Sequence, residues 1–137
     1  MNATTNRFKS GFDNWPVLDG REYIEADLGG GVTVRAYIEI DQFAEPGEWA
    51  TEEQVQAFNE DRLRFADMSL HVYIDGACIE ENVATLGSIG ITEDSDSDGD
   101  YLTERANDLL SEIDVAAIVG GFTEKAEKAL KALKASR

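Results

Sequence analysis

With 28 Asp and Glu against 12 Lys and Arg, the 137-residue chain carries a formal net charge of −16, and so acidic a surface repels nucleic acid and anionic membranes alike. An apolar fraction of 42 %, with six Phe, four Tyr and two Trp, excludes an acidic disordered tail and predicts one folded domain over residues 1–137. The single cysteine, Cys78, excludes an intrachain disulfide scaffold, and without an apolar leader or a run long enough to span a bilayer the chain is expected to be cytoplasmic.

Residues 1–20 read as an irregular arm pinned by aromatics such as Phe8, Phe12 and Trp15. From Arg21 the apolar period becomes two: Ile24, Ala26 and Leu28 alternate with polar residues, Gly29-Gly30-Gly31 allows a tight reversal, and Val32, Val34, Ala36, Ile38 and Ile40 alternate again. This predicts a β-hairpin with one buried face. Thr51-Glu52-Glu53-Gln54 matches a capping box, so a helix is expected from Thr51, with Val55, Phe58 and Phe65 as its inner stripe. Met68, Leu70, Val72 and Ile74 form the next alternating run. Asp75-Gly76 follows as a type I′ turn signal, which would set Ile74 opposite Ala77, Val72 opposite Ile79 and His71 opposite Glu80. The returning strand continues through Val83, Leu86, Ile89 and Ile91, with a bulge or edge expected at Glu80-Glu81-Asn82.

Leu102, Ala106, Leu109, Leu110 and Ile113 recur at helical spacing and predict a helix from residue 100 to about 118, ended by Gly120-Gly121. A short basic helix should then cover 124–135, with Lys125, Lys128, Lys131 and Lys134 spread around Ala126, Leu130 and Leu133. The expected class is α+β: about four antiparallel strands in two β-hairpins, packed by two to three helices.

The densest charge in the chain is Glu93-Asp94-Ser95-Asp96-Ser97-Asp98-Gly99-Asp100. Asp94, Asp96, Asp98 and Gly99 match positions 1, 3, 5 and 6 of a calcium loop, but position 12, where the completing bidentate Glu belongs, is Arg105, and Glu104 falls one residue early. The same run also fits a helix start, with Asp98 as N-cap and Asp100 in the first turn, or an acidic face offered to a basic partner. Cys78, His71 and Glu80 would share one hairpin surface. Cys78 lies diagonal to His71, however, at roughly 7–8 Å, and a lone strand cysteine is expected to serve as a small packed hydrophobe. Neither glycine run has the helix and Lys of a phosphate loop.

No catalytic residue is therefore expected. Residues 1–122 hold 26 acids and 7 bases, a net −19, while 123–137 hold 2 acids and 5 bases, a net +3. Carboxylates spread over a folded body can imitate the ordered charge that a DNA-binding groove detects. In composition alone, a small acidic body of this kind resembles phage and mobile-element inhibitors of restriction or CRISPR nucleases. The expectation is a protein-binding inhibitor that meets a basic nucleic-acid-binding protein, such as a bacterial nuclease or effector complex, and neither nucleic acid nor membrane directly. Glu80, Glu81, Asp94, Asp96, Asp98 and Asp100 are its candidate partner-binding residues. No cofactor is expected. The alternatives are a calcium domain using Asp94, Asp96, Asp98 and Glu104, and an acidic domain whose charge only keeps it in solution.

Overall fold

The alternating runs on either side of Gly29-Gly30-Gly31 fold back on each other as β1 (Glu22–Gly29) and β2 (Val32–Ile40) in the computed structural model, which describes residues 7–8, 11–12, 22–41, 43–92 and 98–136. β2 also pairs with β3 (Leu63–Ile74), and β3 with β4 (Ala77–Thr92), all antiparallel. The two expected hairpins are thus halves of one sheet in the order β1-β2-β3-β4. Its turns lock together. Asp75 and Gly76 have φ of 48° and 83°, as a type I′ turn requires, and the Asp75 N–H donates to the Gly31 carbonyl at 2.9 Å. Gly31 sits at φ 81°, and a Cβ there would run into the Asp75 carboxylate, so both backbone angle and close approach demand glycine.

Because side chains alternate along a strand, the apolar set of every run falls on one face. Ile24, Ala26, Val34, Ala36, Ile38, Met68, Leu70, Val72, Ile89 and Ile91 are buried there. Across this face lies α2 (Asp98–Glu112), which inserts Leu102, Ala106, Leu109 and Leu110. Phe8 and Phe12 enter the same core, their N–H groups donating to Asn107 Oδ1 at 2.7 Å and Thr103 Oγ1 at 3.1 Å. Phe8 and Phe12 belong to the predicted N-terminal arm; Trp15 and the arm's other residues, apart from 7–8 and 11–12, lie outside the described residues.

The helix predicted from Thr51 is α1 (Glu52–Asn59), with both hydrogen bonds of the capping box in place. Its expected stripe is only partly right. Val55 is 40 % exposed, and the chain leaves the helix through Asp61 at φ 61°, so Phe65 belongs to β3. Leu63 and Phe65 fit a period of two as well as a helical one, and pairing of Leu63 with Thr92 and Phe65 with Gly90 decides for the strand. Phe58 and Trp49 then cover Phe65 from outside, with ring centroids 6.1 and 6.3 Å away.

The C-terminal boundary also moves. α2 stops at Glu112, and Asp114 caps a new helix, α3 (Val115–Ala135), by accepting the Ala117 N–H at 3.0 Å. α3 runs straight through Gly120-Gly121. A satisfied cap plus the packing of Val115, Ile118 and Val119 on the core outweighs two helical glycines, which each cost about 1 kcal/mol relative to alanine. A Cβ on Gly121 would meet nothing within 4 Å. Gly121→Ala should accordingly raise the unfolding free energy by about 0.5–1 kcal/mol, read from urea denaturation. Among the described residues, no helix is long and apolar enough to cross a membrane.

Candidate functional site

α2 buries one side in the core, and the same periodicity turns Asp100, Glu104, Asp108 and Glu112 outward, all four exposed. Four residues advance an α-helix by about 6 Å. These carboxylates therefore form a slanting row about 18 Å long on an element held rigid by Leu102, Ala106, Leu109 and Leu110. Arg105 lies within the row and partly offsets it, with Nη2 at 2.7 Å from Asp108 and 3.6 Å from Glu104, while Arg7 lies along the same groove. Asp94 and Asp96 precede the row but fall outside the described residues. Asp98 is already the first residue of α2, one position inside the cap predicted for it. Glu104, the outlying member of the calcium alternative, stands on the helix beside a guanidinium. Asp108 and Glu112 escaped the sequence reading, although their four-residue spacing from Asp100 and Glu104 was the signal that could have found them.

Glu80 and Glu81 sit elsewhere. β4 is an edge strand, and its register slips between Leu70 and Val72 and again between Val72 and Tyr73, with Asn82 at φ 53°. The bulge expected at Glu80-Glu81-Asn82 is present. The predicted register holds for Ile74 opposite Ala77 and Tyr73 opposite Cys78 and fails from Val72 onward, which faces Glu80 where Ile79 was expected. Glu80 lines a groove beside α3 with Ile79, Ile118 and Phe122. Both glutamates lie toward the turn end of β4, on the order of 30 Å along the strand from Thr92, where the acidic run begins.

The second bulge has a chemical consequence. A regular strand would put Cys78 and Glu81 on opposite faces, but here Glu81, rather than Glu80, joins His71 and Cys78, with ligand atoms all within 4.8 Å of one another. Cys78 is exposed rather than packed, which corrects the expectation of a buried thiol. His71 is buried, with Nε2 3.1 Å from Ser69 Oγ. Thiolate, imidazole and carboxylate are donor types that hold Zn²⁺, and this trio is where the described residues could contribute three ligands.

Beside it, the face of the sheet away from α2 carries rows set by register: Glu25, Arg35 and His71 in one, Tyr23, Tyr37 and Ser69 in the next. Arg35 donates to Glu25 at 2.8 Å and to the Tyr37 hydroxyl at 3.2 Å, and lies over the rings of Tyr23 and Tyr73. Hydrogen bonds to Glu25 and then Tyr37 hold its guanidinium charged, with its pKa raised above the usual value. Tyr37 and Tyr73 share a 2.7 Å hydroxyl contact. Burial, and next the hydrogen bond with Tyr37, push Tyr73 up to about 12. A raised folded-state value means that the unfolded chain releases this proton first, so the stability tied to it is complete below pH 10 and is lost as pH climbs toward 12. Phenolate absorbance should show one late-titrating tyrosine near pH 12 that disappears in Tyr73→Phe.

Comparison with protein-family models, curated proteins and solved structures found no match for this chain.

Proposed function

We propose that the protein is a binding protein that docks on a basic, nucleic-acid-handling partner, a bacterial nuclease or its effector complex, and inhibits it by filling the surface that nucleic acid would occupy. The observation that carries this reading is the row Asp100, Glu104, Asp108 and Glu112. A nucleic-acid groove responds to ordered negative charge, and carboxylates mounted on a packed helix offer such order with the backbone already fixed, so that docking has only side-chain freedom left to remove. Asp94, Asp96 and Asp98 extend the row at its N-terminal end in sequence. A net −19 over residues 1–122 is self-repulsive, and a groove lined with Lys and Arg would relieve that repulsion while accelerating encounter. Glu80 and Glu81, on the far part of β4, would contribute to long-range attraction rather than to the contact itself.

The test is capture from a bacterial lysate at low salt, followed by competition with duplex DNA for the captured protein. Mutual displacement is the expected result. A partner that holds DNA and this protein simultaneously would sink the occupation mechanism, and failure to capture any basic protein would remove the proposal.

A further inference from the structure

α3 is a 21-residue helix without a single buried residue. Its root rests on the core through Val115, Ile118 and Val119, but the same stripe continues past the body through Phe122, Ala126, Ala129, Leu130 and Leu133. Phe122, Leu130 and Leu133 are 41 %, 53 % and 65 % exposed. Spacings of three and four residues keep the stripe on one side of the helix, the pattern of a helix that packs against another helix.

We infer that this stripe is a homodimer interface, in which the α3 helices of two copies cross antiparallel about a two-fold axis between Glu127 and Lys128. In that alignment Phe122 stands level with the partner copy's Leu133, and Ala126 with its Ala129. The small pair at the centre lets the backbones approach closely, and the large pair at each end fills the space where crossing helices diverge. The charges invert in the same way: Glu124 comes level with Lys131, and Glu127 with Lys128. A parallel pair would instead set every lysine beside its own copy. Antiparallel crossing also brings the basic tip, Lys131 and Lys134, toward the root of the other copy's helix, where Glu80 lines the groove with Phe122 and Lys125. The net +3 of residues 123–137 thus meets the net −19 of the opposite body. The overlap from Phe122 to Leu133 spans about 18 Å and begins about one turn beyond Val119, which packs on its own core. A closed isologous pair follows, with no surface left to propagate.

Sedimentation equilibrium on the full chain is the test. The wild type should run at twice its 15.0 kDa chain mass, and Leu133→Glu at the single-chain mass with an unchanged circular dichroism spectrum, since the side chain supports no core. Orientation is read by cross-linking in a Cys78→Ser background: Ala126→Cys mixed with Ala129→Cys should form a mixed disulfide faster than either variant joins itself. A wild type that stays at 15.0 kDa, a dimer that survives Leu133→Glu, or like-with-like cross-linking would each overturn the inference. So would a monomer that co-sediments with phosphatidylserine vesicles, for the stripe would then serve a lipid surface.

Discussion

Leu102→Ala should destabilise the protein by about 3–4 kcal/mol in urea denaturation, whereas Val55→Ala should change its stability by less than about 1 kcal/mol. Both positions are apolar residues of short amphipathic helices, and sequence pattern alone treats them alike. Leu102 is 0 % exposed, at the centre of the layer that joins α2, the sheet and the two arm aromatics. Its truncation leaves a cavity in the core cluster that it shares with the sheet residues and with Phe8 and Phe12. Val55 is 40 % exposed and loses little by truncation. The loss at Leu102 is a large part of the roughly 5–15 kcal/mol available to a domain of this size. It would also loosen the helix that presents the carboxylate row. Equal costs at the two positions would mean that α2 does not pack on the sheet as described.

Reversing three charges of that row, Asp100→Lys, Glu104→Lys and Glu112→Lys together, should weaken capture of the basic partner by about 100-fold or more in 0.1 M salt, mainly through slower association. Asp108 is left intact because it holds Arg105 at 2.7 Å. The comparison is Glu45→Lys, Glu48→Lys and Glu53→Lys, exposed positions that change the net charge equally without touching the row. That variant should lose several-fold less affinity. The gap between the two should narrow toward 1 M salt, as the screening length falls from about 10 to about 3 Å. Equal losses would show that total charge, rather than its arrangement on α2, drives binding. The comparison is made between variants whose melting temperatures agree with the wild type.

Local chemistry was legible wherever one rule acted alone. The glycine reversal, the Asp75-Gly76 turn, the capping box at Thr51 and the alternating runs are each decided by a few dihedrals or by one hydrogen bond with a near neighbour. For that reason β1, β2, the start of α1 and the core side of α2 stand where the residues alone put them. Decisions that depended on partners distant in the chain were not legible. Phe65 satisfied a helical and a strand period equally, and only pairing with β4 made it a strand residue. Gly120-Gly121 had the form of a stop, yet the helix passes through because Asp114 caps it and its root packs on the core. The broken alternation at Glu80-Glu81-Asn82 marked a bulge in β4, but how far the register slips depends on pairing with β3, and that slip determines that Glu81 rather than Glu80 meets His71 and Cys78. The acidity belongs to the sequence by itself. Its alignment into a row along α2, and the separation of that row from Glu80 and Glu81, belong to the tertiary structure, because burial of Leu102, Ala106, Leu109 and Leu110 is what determines which side of the helix meets water.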